Sequence, residues 1–583
     1  MLGIRCSLSA AAIVILFTVA LVPTPASSQI DCRVDENVPC DDFNWDSLIP
    51  TSVLDGLEEL KAALDYAVAF PDPLDTGVPP DPAIVSVDPQ RGVEIAGNNH
   101  GTALCGNPIN LATGNKYQRE VDFVGGGTFP LSIIRHYNSD GAETAASDGV
   151  FGQGWNNQLA DRIVRKFSVE VSGTEHQLVT IERQSGQRIG LTKVGDGRWT
   201  RGSGKVEAFG YHEDMHVWFW YDEGLLKTFY GEGRPLVYYH PSGESQKFVH
   251  EEYSPETYRI REVQHSSGRK LIVNYDAQDR IGSIVDPGNR TYQYFYDTNG
   301  NLHQVDAPDV AGTMRKDYYY EDPNYPSALT GIGFDGQPQR FATFAYDSQG
   351  RAITSEHSVG VEKLTVNYIA ESPNVRRSTT NVHGKVTDYT FDELEDTQRV
   401  TDVNGQPHGT CVATDTSYTY DSRGYYDEIT DAEGHVTKLV HDDFGFRERA
   451  TSGFGSSSPR ETEYYFDIFW QQPRRIENDL LRSDFDYNVD GELLSVTMTN
   501  KSQYGIPNQQ RIWTFDYEKY SNKIRKKVTV DGPRTDVDDI TTYHYDTSGR
   551  LSSIDQQVTA SLSLVTTIDT YDAYGRPTKI TFP

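Results

Sequence analysis

Basic side chains are scarce in this sequence. Its 53 Lys and Arg stand against 84 Asp and Glu, a formal net charge of -31 over 583 residues. A surface that acidic repels phosphate backbones, which argues against a nucleic-acid partner. Cysteine and methionine are also rare, at five and four residues. The cysteines are too dispersed, and too far from clustered histidine, for a zinc site. Long apolar runs are confined to the start of the chain. There Arg5 precedes AAAIVILFTVALV and PTPASSQ follows, the layout of a secretory signal spanning residues 1–28. The run is short for a membrane span, so membrane contact is expected only through an uncleaved signal. The mature chain is placed in the cell envelope or beyond it: periplasm, cell surface or extracellular space. No Gly-x-Ser-x-Gly elbow occurs, and no cofactor is expected.

Residues 29–100 form an acidic N-terminal segment. Within it, SVLDGLEELKAALDYAVAF has Ser52 as a cap and apolar residues at helical spacing, and PDPLDTGVPPDP reads as a stiff linker. Removing the signal removes Cys6 and leaves four cysteines, which allow three pairings. Cys32 and Cys40 are the obvious local bridge in an oxidising compartment. A Cys105–Cys411 pair remains open.

What the chain does hold in quantity is tyrosine, 35 residues, and glycine, 50 residues. They recur together. YDTNG at Tyr296, YDSQG at Tyr346, YDSRG at Tyr420, YDTSG at Tyr545 and YDAYG at Tyr571 share one form, and YDAQD at Tyr275 is a variant. Aspartate opens a type I turn well, because its side chain accepts from backbone N–H groups further on. Glycine in the fourth place tolerates the positive φ that a turn plus bulge demands. Asp276, Asp297, Asp347, Asp421, Asp546 and Asp572 are therefore expected to open hairpin corners. Gly300, Gly350, Gly424, Gly549 and Gly575 should close them. At the variant, Asp279 takes the glycine place as a residue that visits positive φ readily. Tyr275 to Tyr296 spans 21 residues, as does Tyr420 to His441, room for two strands and two turns. A unit repeated this often is architecture, and its aspartates are expected to be structural.

The form Y-D-x-x-G-R-L-x-x-I-x-D resembles the YD repeat of Rhs proteins, shared with teneurins and with the C component of insecticidal toxin complexes. GNPINLATGNKYQRE, PLSIIRHYNS and FGQGWN resemble the domain that precedes those repeats in bacterial Rhs proteins. Together the resemblance covers about residues 101–583. It implies strands that spiral into a hollow β-shell, one that encloses a toxic polypeptide or serves in cell-surface contact. The Asp-Pro-x-Gly-Leu core of toxin-bearing members has no counterpart here, so neither self-cleavage nor toxicity carries over.

Four other stretches invite chemical readings. HEDMH, His212 to His216, matches a zinc-protease pattern that needs a helix. Its flanks have no helical periodicity, and a hairpin loop is expected. GIGFDG at Gly331 matches a dinucleotide fingerprint without the helix such a site requires, and reads as a turn. DPGN at Asp286 and DAPD at Asp306 lack calcium-loop spacing and also read as turns. The aromatic load is expected to form a cross-strand ladder rather than a sugar-stacking face.

The expected fold is mainly β: antiparallel YD-repeat hairpins in a curved or spiral sheet, a partial hollow shell, with a short N-terminal helical segment. The domains are 1–28, 29–100, a β domain at 101–200 and the repeat sheet at 201–583. The expected function is that of an exported, non-enzymatic shell that shields, carries or presents a polypeptide. Its partners would be a cargo polypeptide or a separately encoded remainder of the shell. The alternative is an adhesive module that binds glycans or a partner protein, and a zinc hydrolase using HEDMH comes third.

Overall fold

The computed structural model describes residues 109–583 apart from short internal stretches, the longer being 141–148, 202–205, 406–413 and 535–538. The signal, the expected helix, and Cys32, Cys40, Cys105 and Cys411 lie outside the described residues.

Almost everything described is antiparallel strand. A long meander runs from Phe209–His212 to Pro577–Thr581, each strand pairing with the next in sequence. This is the curved β-sheet expected from the repeats. Two smaller sheets precede it. Tyr117–Val124, Ser132–Asn138 and Trp155–Asn156 make the first, and Arg162–Val171 through Val206–Glu207 make the second. The strands from Tyr117 to Glu207 thus form two sheets, and the long sheet opens at Phe209, because Val206–Glu207 pairs with Trp199–Thr200 of the second small sheet.

Alternating strand direction gives the long sheet two ends. One carries the YD-type turns, among them 276–280, 297–301, 347–351, 546–550 and 572–576; we call it the corner end. The far end carries the intervening turns, such as 240–244, 265–269, 286–290 and 431–435. The first small sheet and the segment leading into it pack across the long sheet, from its corner end to Phe123 against Tyr292 near the far end. Ala352 N–H donates to the Gly114 carbonyl at 2.8 Å and Ile281 N–H to that of Val150 at 2.6 Å. The Tyr137 hydroxyl reaches the Ser327 carbonyl at 2.9 Å. One hydrophobic cluster joins both small sheets to the strands of the long sheet as far as Val403.

At the centre of that contact lies Arg135, fully buried. Its Nε and Nη2 donate to both carboxylate oxygens of Asp122 at 2.7 and 2.8 Å, and Nη2 also donates to the Tyr318 hydroxyl. The guanidinium is 4.6 Å from the Trp155 ring centre. A buried charge is tolerable only with such pairing.

The sheet also returns upon itself. Arg269, in a far-end turn, donates through Nη1 to the Tyr574 carbonyl at 2.6 Å and to that of Gly126 at 2.8 Å. Late corners thus seat on early far-end turns. The sheet winds like a ramp whose second winding rests on the first, and no ladder joins Pro577–Thr581 back to Phe209–His212 among the described residues.

Two short motifs differ from their sequence readings. Gly331–Phe334 is a strand, and the turn of GIGFDG begins only at Asp335, with φ 51°. The DAPD aspartates Asp306 and Asp309 belong to the strand Leu302–Asp309. Pairing with Gly312–Tyr319 holds both segments extended despite their glycine and proline.

Candidate functional site: repeat corners and the seam between windings

Each corner is a small polar machine built by its own sequence. At Asp297 the Gly300 N–H donates to the Asp297 carbonyl at 3.1 Å and the Asp297 N–H donates to Asn301 at 2.9 Å, with Gly300 at φ 86°. Asp297 Oδ1 accepts from the N–H groups of Asn299 and Asn301, both at 2.8 Å. The register slips by one residue between Phe295 and Tyr296, the bulge such a turn carries. Asp276, Asp347, Asp546 and Asp572 accept in the same manner, from residues two and four places on. So does Asp421. Gly350, Gly424, Gly549 and Gly575 have φ between 78° and 83°, and Asp279 reaches 60° in the variant corner.

At Asp276, Asp347 and Asp546 the second carboxylate oxygen binds the residue four places on, whereas at Asp421 it accepts from Arg423. Arg280 Nε donates to Asp276 at 2.9 Å, Arg351 to Asp347 at 2.9 Å and Arg550 to Asp546 at 2.7 Å. Burial alone would raise the Asp276 carboxyl. Hydrogen bonds from the Arg280 backbone and guanidinium hold it below its ordinary value instead.

The repeat tyrosines do something sequence reasoning missed. Each phenol reaches back across the sheet to a carbonyl earlier in the chain. Tyr275 donates to Ile260 at 2.7 Å, Tyr296 to Ile281 at 2.7 Å, Tyr346 to Leu329 at 2.8 Å and Tyr420 to Val400 at 2.5 Å. Tyr571 donates to Leu551. Tyr545 departs from the pattern, its carbonyl accepting from the Tyr520 hydroxyl at 2.8 Å. Burial pushes the phenols of Tyr275, Tyr296 and Tyr346 up, so they remain donors at any physiological pH. The one available signal was the choice of Tyr over Phe in every repeat, since an aromatic ladder alone does not need a hydroxyl.

The seam gathers groups from several of these corners. Tyr574, the third residue of its corner, lies where a side chain on Gly288 would stand: a Cβ built there would meet its hydroxyl at 2.2 Å. Arg290 covers its ring at 4.5 Å. Gly549 abuts the Glu244 side chain, whose Oε2 accepts from Ser242 at 2.8 Å and whose Oε1 lies 3.6 Å from His265 Nε2. Burial pushes the Glu244 carboxyl up and holds the His265 ring down at about 3. His240, next in the same turn, is lowered to about 4, by burial first and then by the Arg525 charge. Seam histidines are thus neutral at pH 7.

HEDMH forms a hairpin turn. His212 ends one strand, Val217 opens the next, and the two pair directly. His216 has φ 53°, and its ring lies 3.2 Å from the Tyr211 hydroxyl. The two histidines therefore flank a turn instead of sharing one face of a helix. Asp431, Glu433 and His435 converge in an exposed far-end turn, where Asp431 serves as the turn's own acceptor.

Comparison with known proteins finds partial likenesses. The family described as "Domain of unknown function (DUF6531)" matches residues 106–188. Probable deoxyribonuclease RhsB of Dickeya dadantii (strain 3937) is 24% identical over 367 residues, covering 60% of this chain and 23% of that protein. Double-stranded DNA deaminase toxin A of Burkholderia cenocepacia (strain H111) is 24% identical over 303 residues, covering 44% and 19%. The chain thus spans less than a quarter of the length of these relatives. Among solved structures, TcdB2-TccC3-TEV aligns over 72% of this chain and 27% of that one, at 12% identity and a TM-score of 0.37.

Proposed function

The chain belongs to the Rhs/YD-repeat family, and from that premise we propose that it is a toxin-related shell component whose work is physical. It is exported, and it builds a wound β-wall that shields or carries a polypeptide in the cell envelope or outside the cell. The nuclease and deaminase names belong to relatives of which this chain spans 23% and 19%. Here the corner aspartates are engaged by turn N–H groups and arginines, so their carboxylates serve the wall.

The observation that carries this reading is the seam. Arg269 holding the Tyr574 carbonyl, with Gly288 leaving room for the Tyr574 ring, turns a flat meander into a wall that comes round on itself. The first small sheet, packed across the long sheet, braces that wall.

Protease protection tests the proposal. The full chain is co-expressed with the product of the reading frame immediately downstream, and that product is exposed to trypsin with and without it. A shell lengthens the product's lifetime at least tenfold. Equal digestion in both samples would overturn the reading.

A further inference from the structure

The HEDMH turn has neighbours that a zinc-protease reading would not need. After Glu207 the chain leaves the second small sheet and enters the long one at Phe209. A cleft of about 680 Å³ opens between the two sheets there. That size falls within the roughly 300–1,000 Å³ of small-molecule sites, which favour such junctions. Lys166, Phe167, Gln177 and Lys193 of the small sheet line one side. Tyr211, Trp218 and the HEDMH residues His212, Glu213 and Asp214 line the other.

The cleft carries aromatic rings that packing leaves partly open. Trp199 and Phe209 are its buried base, with Phe209 stacked on Trp218 at 5.2 Å. Tyr211 and Trp218 are half-buried, their ring centres 4.7 Å apart, and Phe167 is 47% exposed. The polar lining is equally uncommitted. Among the described residues, the side chains of Gln177, Lys193, Glu213 and Asp214 make no hydrogen bond or ion pair with the protein. The corner aspartates and arginines, by contrast, hold one another. Lys166 and Lys193 balance Glu213 and Asp214, two charges of each sign. A lysine only donates, a carboxylate only accepts and a glutamine does both. An ion of either sign would meet repulsion for each attraction, whereas a neutral ligand rich in hydroxyls can use every group.

We propose that this cleft binds a neutral oligosaccharide built of pyranose units. A pyranose has an apolar C–H face, which lies against Phe167, Tyr211 and Trp218, and a rim of hydroxyls. The hydroxyls donate to Glu213 and Asp214 and accept from Lys193 and Gln177. The HEDMH turn thereby offers its carboxylates to sugar hydroxyls instead of its histidines to a metal. Such a site attaches the chain to polysaccharide, a role separate from shielding cargo, and it stands whether or not the shell reading does.

Calorimetric titration of the full chain tests it, with cellohexaose, laminarihexaose, xylohexaose, mannohexaose and chitohexaose as separate titrants. Phe167→Ala and Asp214→Ala alter the two walls, and Phe295→Ala removes an exposed ring elsewhere as control. All three side chains are exposed, and an unchanged thermal midpoint confirms folding in each variant. At least one of the sugars should bind saturably, at one site per chain. Both cleft variants should weaken that binding at least tenfold, and Phe295→Ala should leave it unchanged. The proposal is overturned if none of the five binds saturably, if either cleft variant binds as the parent does, or if Phe295→Ala loses binding as well. A chain that binds sugar through the cleft yet protects no cargo from trypsin loses the shell reading alone.

Discussion

The guanidinium of Arg280 lies 4.1 Å from the centre of the Tyr296 ring while its Nε holds Asp276 at 2.9 Å. One side chain thus ties a corner to the tyrosine that introduces the next. The relation recurs between Arg351 and Tyr368 at 3.9 Å and between Arg550 and Tyr571 at 4.9 Å. Arginine suits the place because a planar cation can lie over a ring while donating sideways to a carboxylate. Arg280→Lys keeps the charge and loses this geometry. It should cost about 1 kcal/mol in urea unfolding, and a variant as stable as the parent would show the stacking to be incidental.

The phenol tethers predict a specific response to removing one oxygen. Tyr296→Phe keeps the ring and leaves the Ile281 carbonyl without this donor. A net hydrogen bond contributes about 1 kcal/mol, so equilibrium unfolding should register a loss of that order. A change within error of zero would mean that packing alone holds the repeat.

The seam can be tested by filling it. Gly288→Val places atoms where the Tyr574 hydroxyl lies, and overpacking of this kind costs about 1–3 kcal/mol. Tyr574→Ala in the same chain should recover part of that loss. If the double variant is as destabilised as the two singles added together, the residues do not meet.

Acid should loosen the protein. Burial lowers His136, His240 and His441 to about 4, and His250 and His265 to about 3. Above pH 6.5 each is neutral whether folded or unfolded. Below it the unfolded chain takes up protons that the folded one refuses, so stability falls as pH falls, by about 1.4 kcal/mol per histidine per pH unit until the folded value is reached. Glu244, whose carboxyl burial raises, works in the opposite sense at the acid end. Denaturation midpoints at pH 7.5 and 5.0 should differ, and His265→Asn should shrink the gap. Equal midpoints would mean that water reaches these rings.

The HEDMH turn predicts an elemental analysis. The purified chain should hold no stoichiometric zinc, because His212 and His216 flank a turn. One tightly bound zinc, lost on changing both histidines to alanine, would refute this.

The corners were legible because a type I turn with a bulge is decided within five residues, and Asp297 to Asn301 carry all its requirements. The placing of Tyr296 at a strand end and of Leu302 at the next strand's start followed from the same local logic. The reach of the tyrosine hydroxyl was not legible, since its acceptor is a carbonyl, which every residue has. The meeting of Gly288 with Tyr574 was hidden for another reason: it depends on how far the sheet curls, a small twist per strand summed over many. GIGFDG misled because pairing with Gly312–Tyr319 overrides its glycines. The neutral seam histidines were likewise invisible, as burial belongs to the whole winding and not to any turn.

The tethers all point one way along the chain. Tyr296 reaches back to Ile281, Tyr368 to Ala352 and Tyr571 to Leu551, in each case to the first residue of a preceding strand. As synthesis proceeds, a repeat is therefore latched by the tyrosine that emerges after it, and early repeats can set before late ones exist. Under tension applied at the C-terminal end the order reverses. Each latch then yields before the one that precedes it in sequence, and force passes back repeat by repeat. Such a wall should resist a sideways blow as a single sheet and yet unravel stepwise when threaded from its tail. A force–extension trace would record that as a sawtooth, with one tooth for each latch.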